Sequence, residues 1–253
     1  MHDLGALIAE KSMKDVARTR QQVMAAFLPI SAAMLVIGTA LTPKGLDQII
    51  MSKSTAMTVL PIAAAHLNQL YVSNLLLLFG LGGLAVSFAA ISTLVRERGA
   101  ALATAAALIG GFGAFCGAIG NVLPGFNLAV TASAHLPREV AARFLVASFT
   151  SWPAEAILAG YLGSLLVGTI LMAIALWRSG SVPRWLILLF AVGLVIAAVA
   201  PAGIISIPLQ LPWAAAQVVL GARIWQAAAI PAGERLARIE TSARSLPPGS
   251  ASG

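Results

Sequence analysis

Charge is missing from this chain in long blocks. No Asp, Glu, Lys or Arg occurs between Lys53 and Arg96, between Arg98 and Arg138, or between Arg184 and Arg223. Each block is roughly twice the ~20 residues that one helix needs to cross about 30 Å of hydrocarbon. A shorter block, from Gln21 to Pro43, suits a single crossing. Only 10% of the residues are charged and 59% are hydrophobic, where a soluble domain carries about 25% charge. Too few polar side chains remain to cover a surface in water. An ordinary soluble enzyme, a nucleic-acid-binding domain and a disordered chain are excluded, and the fold class is an all-α, polytopic membrane protein.

Helix breakers divide the long blocks. The spans are read as Val23–Leu41, Gln69–Val95, Ala100–Val122, Glu155–Trp177, Trp185–Ile205 and Ile207–Trp225, six in all. Pro61 leaves residues 43–68 as an outer segment, partly helical. Pro124-Gly125 is expected to end the third span, because Pro removes a donor and Gly loosens the backbone. The second outer segment contains an expected amphipathic helix over Pro137–Trp152. Its stripe is Val140, Phe144, Ala147, Ser148 and Phe149, with Glu139 and Arg143 as an i,i+4 pair. The last block, with Pro201, Pro208 and Pro212 near its middle, reads as a tight hairpin of two spans or, alternatively, a re-entrant loop.

The basic residues test this parse. All but four of the 16 Lys and Arg residues fall on one side of a six-span chain; the exceptions are Lys44, Lys53, Arg138 and Arg143. Basic residues concentrate on the cytoplasmic side, so both termini are expected in the cytoplasm. Residues 1–21 then form a cytoplasmic amphipathic segment, 22–228 a six-helix transmembrane domain, and 229–253 a cytoplasmic tail, disordered towards its Pro- and Ser-rich end. The N-terminal stretch contains acids and no long apolar run before residue 22, so it is not read as a cleaved signal peptide. The net charge of +7 is assigned to anionic lipid headgroups rather than to nucleic acid.

Small residues recur at four-residue spacing, as Gly113-x3-Gly117 and Gly160-x3-Ser164-x3-Gly168. Such rows let helix backbones approach closely in lipid. They suit packing within the bundle, a backbone groove for a flat ligand, or a homo-oligomer contact. At the inner interface, Trp177, Arg178, Pro183, Arg184 and Trp185 form WRSGSVPRW. The stretch GTILMAIALWRSGSVPRWLILLFAVG resembles the span–turn–span pattern of bacterial membrane proteins of the DUF4386 type, a family of unknown function. The resemblance implies the topology and a bacterial plasma-membrane location, and it implies no chemistry.

Chemistry-bearing residues are few. Glu155 is the one acid at the beginning of a span, where it either caps the helix or acts as an intramembrane proton donor. His66, Asn68, Gln69, Tyr71 and Asn74 cluster in HLNQLYVSN, and a continuous helix would place them broadly on one side. Asn121, Asn127, Gln210 and Gln217 are further polar positions, the last two seven residues apart and hence on one face. No metal-ligand spacing joins His2, His66 and His135, the single Cys116 forms no cluster, and nothing calls for a cofactor. Two functions follow. One is a scaffold binding a lipid or other apolar molecule in a pocket open to the outer leaflet. The substrate-binding candidates are His66, Asn68, Tyr71, Asn74, Asn121, Trp152, Tyr161, Trp213 and Gln217. The other is an integral-membrane isomerase or proton-initiated terpene-type cyclase. There Glu155 is the general acid, and Trp152, Tyr71, Tyr161, Phe126, Phe149 and Trp213 stabilise cations through their ring faces.

Overall fold

A chain this apolar satisfies its backbone by forming helix almost everywhere, since lipid offers no partner to a free N–H or C=O. The computed structural model describes residues 2–229 apart from 47–49, 51, 96, 135 and 199, with side chains from Met13 onward, Lys14 excepted. The expected tail lies outside the described residues, as do His2's side chain and His135. Eight helices and no strand occur among them: α1 (His2–Leu41), α2 (Lys53–Ala65), α3 (Leu67–Ser92), α4 (Ala100–Ser133), α5 (Arg138–Phe149), α6 (Trp152–Ser179), α7 (Arg184–Ala198) and α8 (Ser206–Ala229). Four stretches are long and apolar enough to cross a membrane: Asp15–Leu41 of α1, and α3, α4 and α6. Their outward faces are apolar too, with Phe79, Leu108, Phe112 and Phe115 exposed. That combination is what a multi-pass integral membrane protein requires. Helix α7 is apolar but has 15 residues, short of the about 20 that one crossing needs.

Pro124-Gly125 does not end the third span. Helix α4 runs on through it to Ser133. Pro fits helical φ and forfeits one N–H, whereas breaking the helix inside lipid would expose several polar groups at once. The residual defect is local: the Gly120 carbonyl loses its usual donor at position 124.

The helices meet where side chains are smallest. A Cβ on Gly168 would overlap the Gly110 backbone, one on Gly113 would lie 2.9 Å from Leu165 Cα, and one on Gly117 would lie 2.5 Å from the Tyr161 ring. The glycine rows of α4 and α6 are therefore spent on each other. On α1 and α3, Gly83 faces Ser31, whose hydroxyl lies 3.2 Å from that of Ser87. The core buried among α1, α3, α4, α6, α7 and α8 includes Leu28, Leu84, Phe88, Met172, Phe190, Trp213 and Leu220. Phe88 and Phe190 meet edge to face at 6.2 Å.

At one end of the bundle, Gln21 Nε2 donates to Thr93 Oγ1 at 3.2 Å, tying α1 to the turn after α3. At the other end the C-terminus of α1 is knitted to two neighbours. Gln69 Nε2 donates to the Leu41 carbonyl at 2.7 Å, and Ser73 Oγ donates to the Gly38 carbonyl at 2.9 Å. The Gly203 N–H reaches the Thr39 carbonyl at 2.9 Å. Gly203 has φ +91°, a conformation that side chains resist, and it lets the α7–α8 turn close against α1.

Helices α2 and α5 cap that second end over a separate cluster that includes Ile50, Val59, Leu60, Leu70, Leu128 and Leu145. Glu139 pairs with Lys53 of α2 at 2.8 Å, not with Arg143 as the spacing suggests. The hydrogen bond and charge of Lys53 hold the Glu139 carboxyl below its ordinary value, with Arg143 adding a smaller pull. The expected stripe on α5 is also corrected. Ala141, Ala142 and Leu145 pack inward, while Val140 and Phe144 are exposed. This helix is apolar on two sides, and the side that packs is the one where Ala141 and Ala142 permit close approach and Leu145 fills the contact.

Candidate functional site: a cavity beneath the capped end

Beneath the cap, a cavity of about 380 Å³ opens between α1, α3, α4, α6 and the α7–α8 hairpin. Its volume lies toward the lower end of small-molecule sites, about 300–1,000 Å³. Aliphatic side chains such as Leu35, Leu77, Leu81, Leu158 and Leu194 form most of the wall, with Ile50, Val59 and Phe149 towards the cap. The polar wall residues are Thr39, Thr42, Asn74, Asn121, Glu155, Tyr161, Trp213 and Gln210. Among the described residues no Lys, Arg or His lines it.

Several of these polar groups are already satisfied. Thr39 Oγ1 donates to the Leu35 carbonyl at 2.8 Å, Thr42 Oγ1 lies 2.7 Å from Ser73 Oγ, and Asn121 Nδ2 donates to the Gly117 carbonyl at 3.0 Å. Two are not. Asn74 is 4% exposed and Trp213 is 1% exposed, and neither Asn74 Nδ2 nor Trp213 Nε1 has an acceptor among the described residues. Asn74 comes from α3 and is wedged against α4, so that a Cβ on Gly125 would lie 2.5 Å from its Nδ2. Trp213 comes from α8, where its backbone packs against Gly193 of α7. A buried donor left unpaired costs about 1–3 kcal/mol, and these two lie on the wall of one cavity.

No protein-family model, curated protein or solved structure matches this chain.

Of the residues singled out in the sequence, Asn74, Asn121, Phe149, Glu155, Tyr161, Gln210 and Trp213 share the cavity. Glu155 sits in the first turn of α6 and is exposed, at the mouth. His66, Asn68 and Trp152 are exposed and away from it, Trp152 at 80%. Tyr71 stacks obliquely on Phe126 at 6.0 Å within the cap cluster. Gln217 is fully buried beyond the cavity wall, and neither its Nε2 nor its Oε1 is paired.

HLNQLYVSN does not act as one face because the helix is interrupted inside it. His66 has φ −128° and ψ 31° and ends α2 as α3 begins. Within α3, Asn68 and Asn74 are six residues apart, which at ~100° per residue puts them about 120° apart around the axis. Wall residues with no mark in the sequence reading include Thr39 at the end of α1, Thr42 just beyond it, and the small side chains Ala197, Ala198, Ala200 and Ala202 of the hairpin. Thr39 and Thr42 did carry a signal, as two hydroxyls near the end of an otherwise apolar span.

Proposed function

We propose that the chain is a six-span membrane protein with both termini in the cytoplasm, and that it binds a lipid or other apolar small molecule in the cavity, entered from the outer leaflet. The observation that carries the binding reading is the pairing of an aliphatic cavity with two buried, unpaired donors on its wall, Asn74 and Trp213. Polar groups are retained in such a wall where a ligand uses them to fix its orientation. The topology is supported by the contact between the α7–α8 turn and the far end of α1, through Gly203 and Thr39, which gives the short hairpin the height of a span. It is supported too by Lys53, Arg138 and Arg143 sharing the capped end while the other described Arg residues stand at the other. Self-association would use open glycine faces such as Gly82 and Gly163, which meet nothing within 4 Å.

Extraction of the gently solubilised protein, followed by mass spectrometry, tests the reading. The expected result is one defined apolar molecule in near-equimolar amount. Bulk phospholipid alone contradicts it. The enzyme reading rests on Glu155 sharing the cavity with Tyr161 and Trp213. It is weakened by the exposure of Glu155, which suits a helix-capping role equally. Accumulation of a different, unisomerised or uncyclised molecule in Glu155→Gln would move the assignment to an enzyme, and an identical molecule in both would remove Glu155 from any chemistry.

A further inference from the structure

We infer that the cavity takes a neutral lipophile carrying a carbonyl oxygen, such as an apolar quinone or an uncharged acyl ester, rather than a hydrocarbon or an anionic lipid. The inference rests on the binding reading above and specifies the chemistry of the bound molecule. An indole N–H is a donor and never an acceptor. The unpaired Trp213 Nε1 therefore calls for an acceptor oxygen from the ligand. Asn74 Nδ2, on a different helix of the same wall, calls for a second. Of the other wall donors, Thr39 Oγ1 donates to Leu35, Thr42 Oγ1 lies within reach of Gly38 and Ser73, and one Asn121 N–H goes to Gly117, while Tyr161 and Gln210 are further donors that an acceptor oxygen could use.

Charge decides the rest. Phosphate and carboxylate groups are held in proteins by Arg, Lys or clustered backbone donors, and no cationic side chain among the described residues lines this cavity. The ionisable wall groups are Glu155 and Tyr161, and neither provides a positive charge. A free fatty acid or a phosphate headgroup would thus be desolvated without compensation. A pure hydrocarbon would fill the aliphatic part and leave both donors unpaired.

The test is isothermal titration of the purified, detergent-solubilised full chain with four probes. They are a short-chain ubiquinone analogue, dioctanoylglycerol, dodecylbenzene and dodecanoate. One or both carbonyl compounds should bind more tightly than the hydrocarbon and the anion, and which one wins separates a quinone from a glyceride source. Asn74→Leu and Trp213→Phe remove one donor each while keeping most of the volume. Each should weaken the carbonyl ligand about threefold to tenfold and leave dodecylbenzene unchanged. Unfolding temperatures of both variants verify that they fold, and either one alone suffices for the comparison. Equal binding of dodecylbenzene, or binding unaffected by both variants, overturns the carbonyl assignment and leaves the apolar pocket standing. Tightest binding of dodecanoate overturns the neutrality of the ligand. Binding of none of the four overturns both the inference and the pocket.

Discussion

Replacing Gly168 with Leu should abolish recovery of folded protein, whereas Gly163→Leu should not. Both glycines lie on α6, five residues apart, and both are in helix interiors. They differ in what stands opposite. A Cβ at Gly168 runs into the Gly110 backbone and comes within 3.1 Å of the Ala106 carbonyl, while at Gly163 nothing lies within 4 Å. Backbone cannot turn aside as a side chain can, so α4 and α6 would have to separate along their length. Overpacking of a well-packed contact costs about 1–3 kcal/mol and more where backbone must move, a large share of a marginal total stability. Gly168→Ala should already lower the unfolding temperature measurably. Gly163→Ala should leave it unchanged or raise it, since Gly costs roughly 0.5–1 kcal/mol relative to Ala within a helix. Size-exclusion chromatography and thermal unfolding in one detergent check both pairs. Equal behaviour of the two positions would contradict close α4–α6 packing.

Surface labelling should divide three single-cysteine variants into two sharply different groups. In a Cys116→Ala background, Ser52→Cys before α2 and Ile204→Cys in the α7–α8 turn should react with a membrane-impermeant maleimide on intact cells. Ser181→Cys in the α6–α7 turn should react only after lysis. Ile204 is 77% exposed, so access at that position is set by the membrane rather than by packing. The hairpin is the sensitive part of the topology, because its α7 is short and α8 carries Pro212 and three glutamines. Labelling of Ile204→Cys only after lysis would convert the hairpin to a re-entrant loop. Labelling of Ser52→Cys and Ser181→Cys from the same side would overturn the orientation as a whole.

The spans were legible because the physics that sets them is one-dimensional. A block without charge long enough to cross lipid is visible in the sequence, and α1, α3, α4 and α6 stand where such blocks were read. The helix at Arg138–Phe149 was also foreseeable from its position in the second outer segment. What depends on neighbours was not. Pro124 looks like a stop signal, yet the cost of exposing backbone in lipid carries α4 nine residues further, to Ser133. Glu139 has a basic residue one turn away, yet α2 brings Lys53 closer.

The site shows the same division. Asn74, Asn121, Glu155, Tyr161, Gln210 and Trp213 stand out as rare polar or aromatic residues in apolar segments, and the fold gathers them around one cavity. His66 and Asn68 were chosen from the same cluster as Asn74, but a break at His66 and the turn of α3 carry them to the surface. Gly125 gave no functional signal at all. Its role is visible only across the interface, where the missing Cβ makes room for the Asn74 amide.

Trp213 makes the cavity its own reporter, since it is 1% exposed while Trp152, Trp177, Trp185 and Trp225 are all exposed. The decisive measurement is the fluorescence of a variant in which those four are Phe, titrated with the methyl ester of a terminally brominated dodecanoic acid. Binding in the cavity predicts quenching that saturates at one molecule per protein. It also predicts that Ala197→Phe, which places a ring on the cavity wall, removes that quenching. Quenching that rises in proportion to the probe dissolved in the detergent, and is the same with and without Ala197→Phe, would contradict a binding cavity at Trp213.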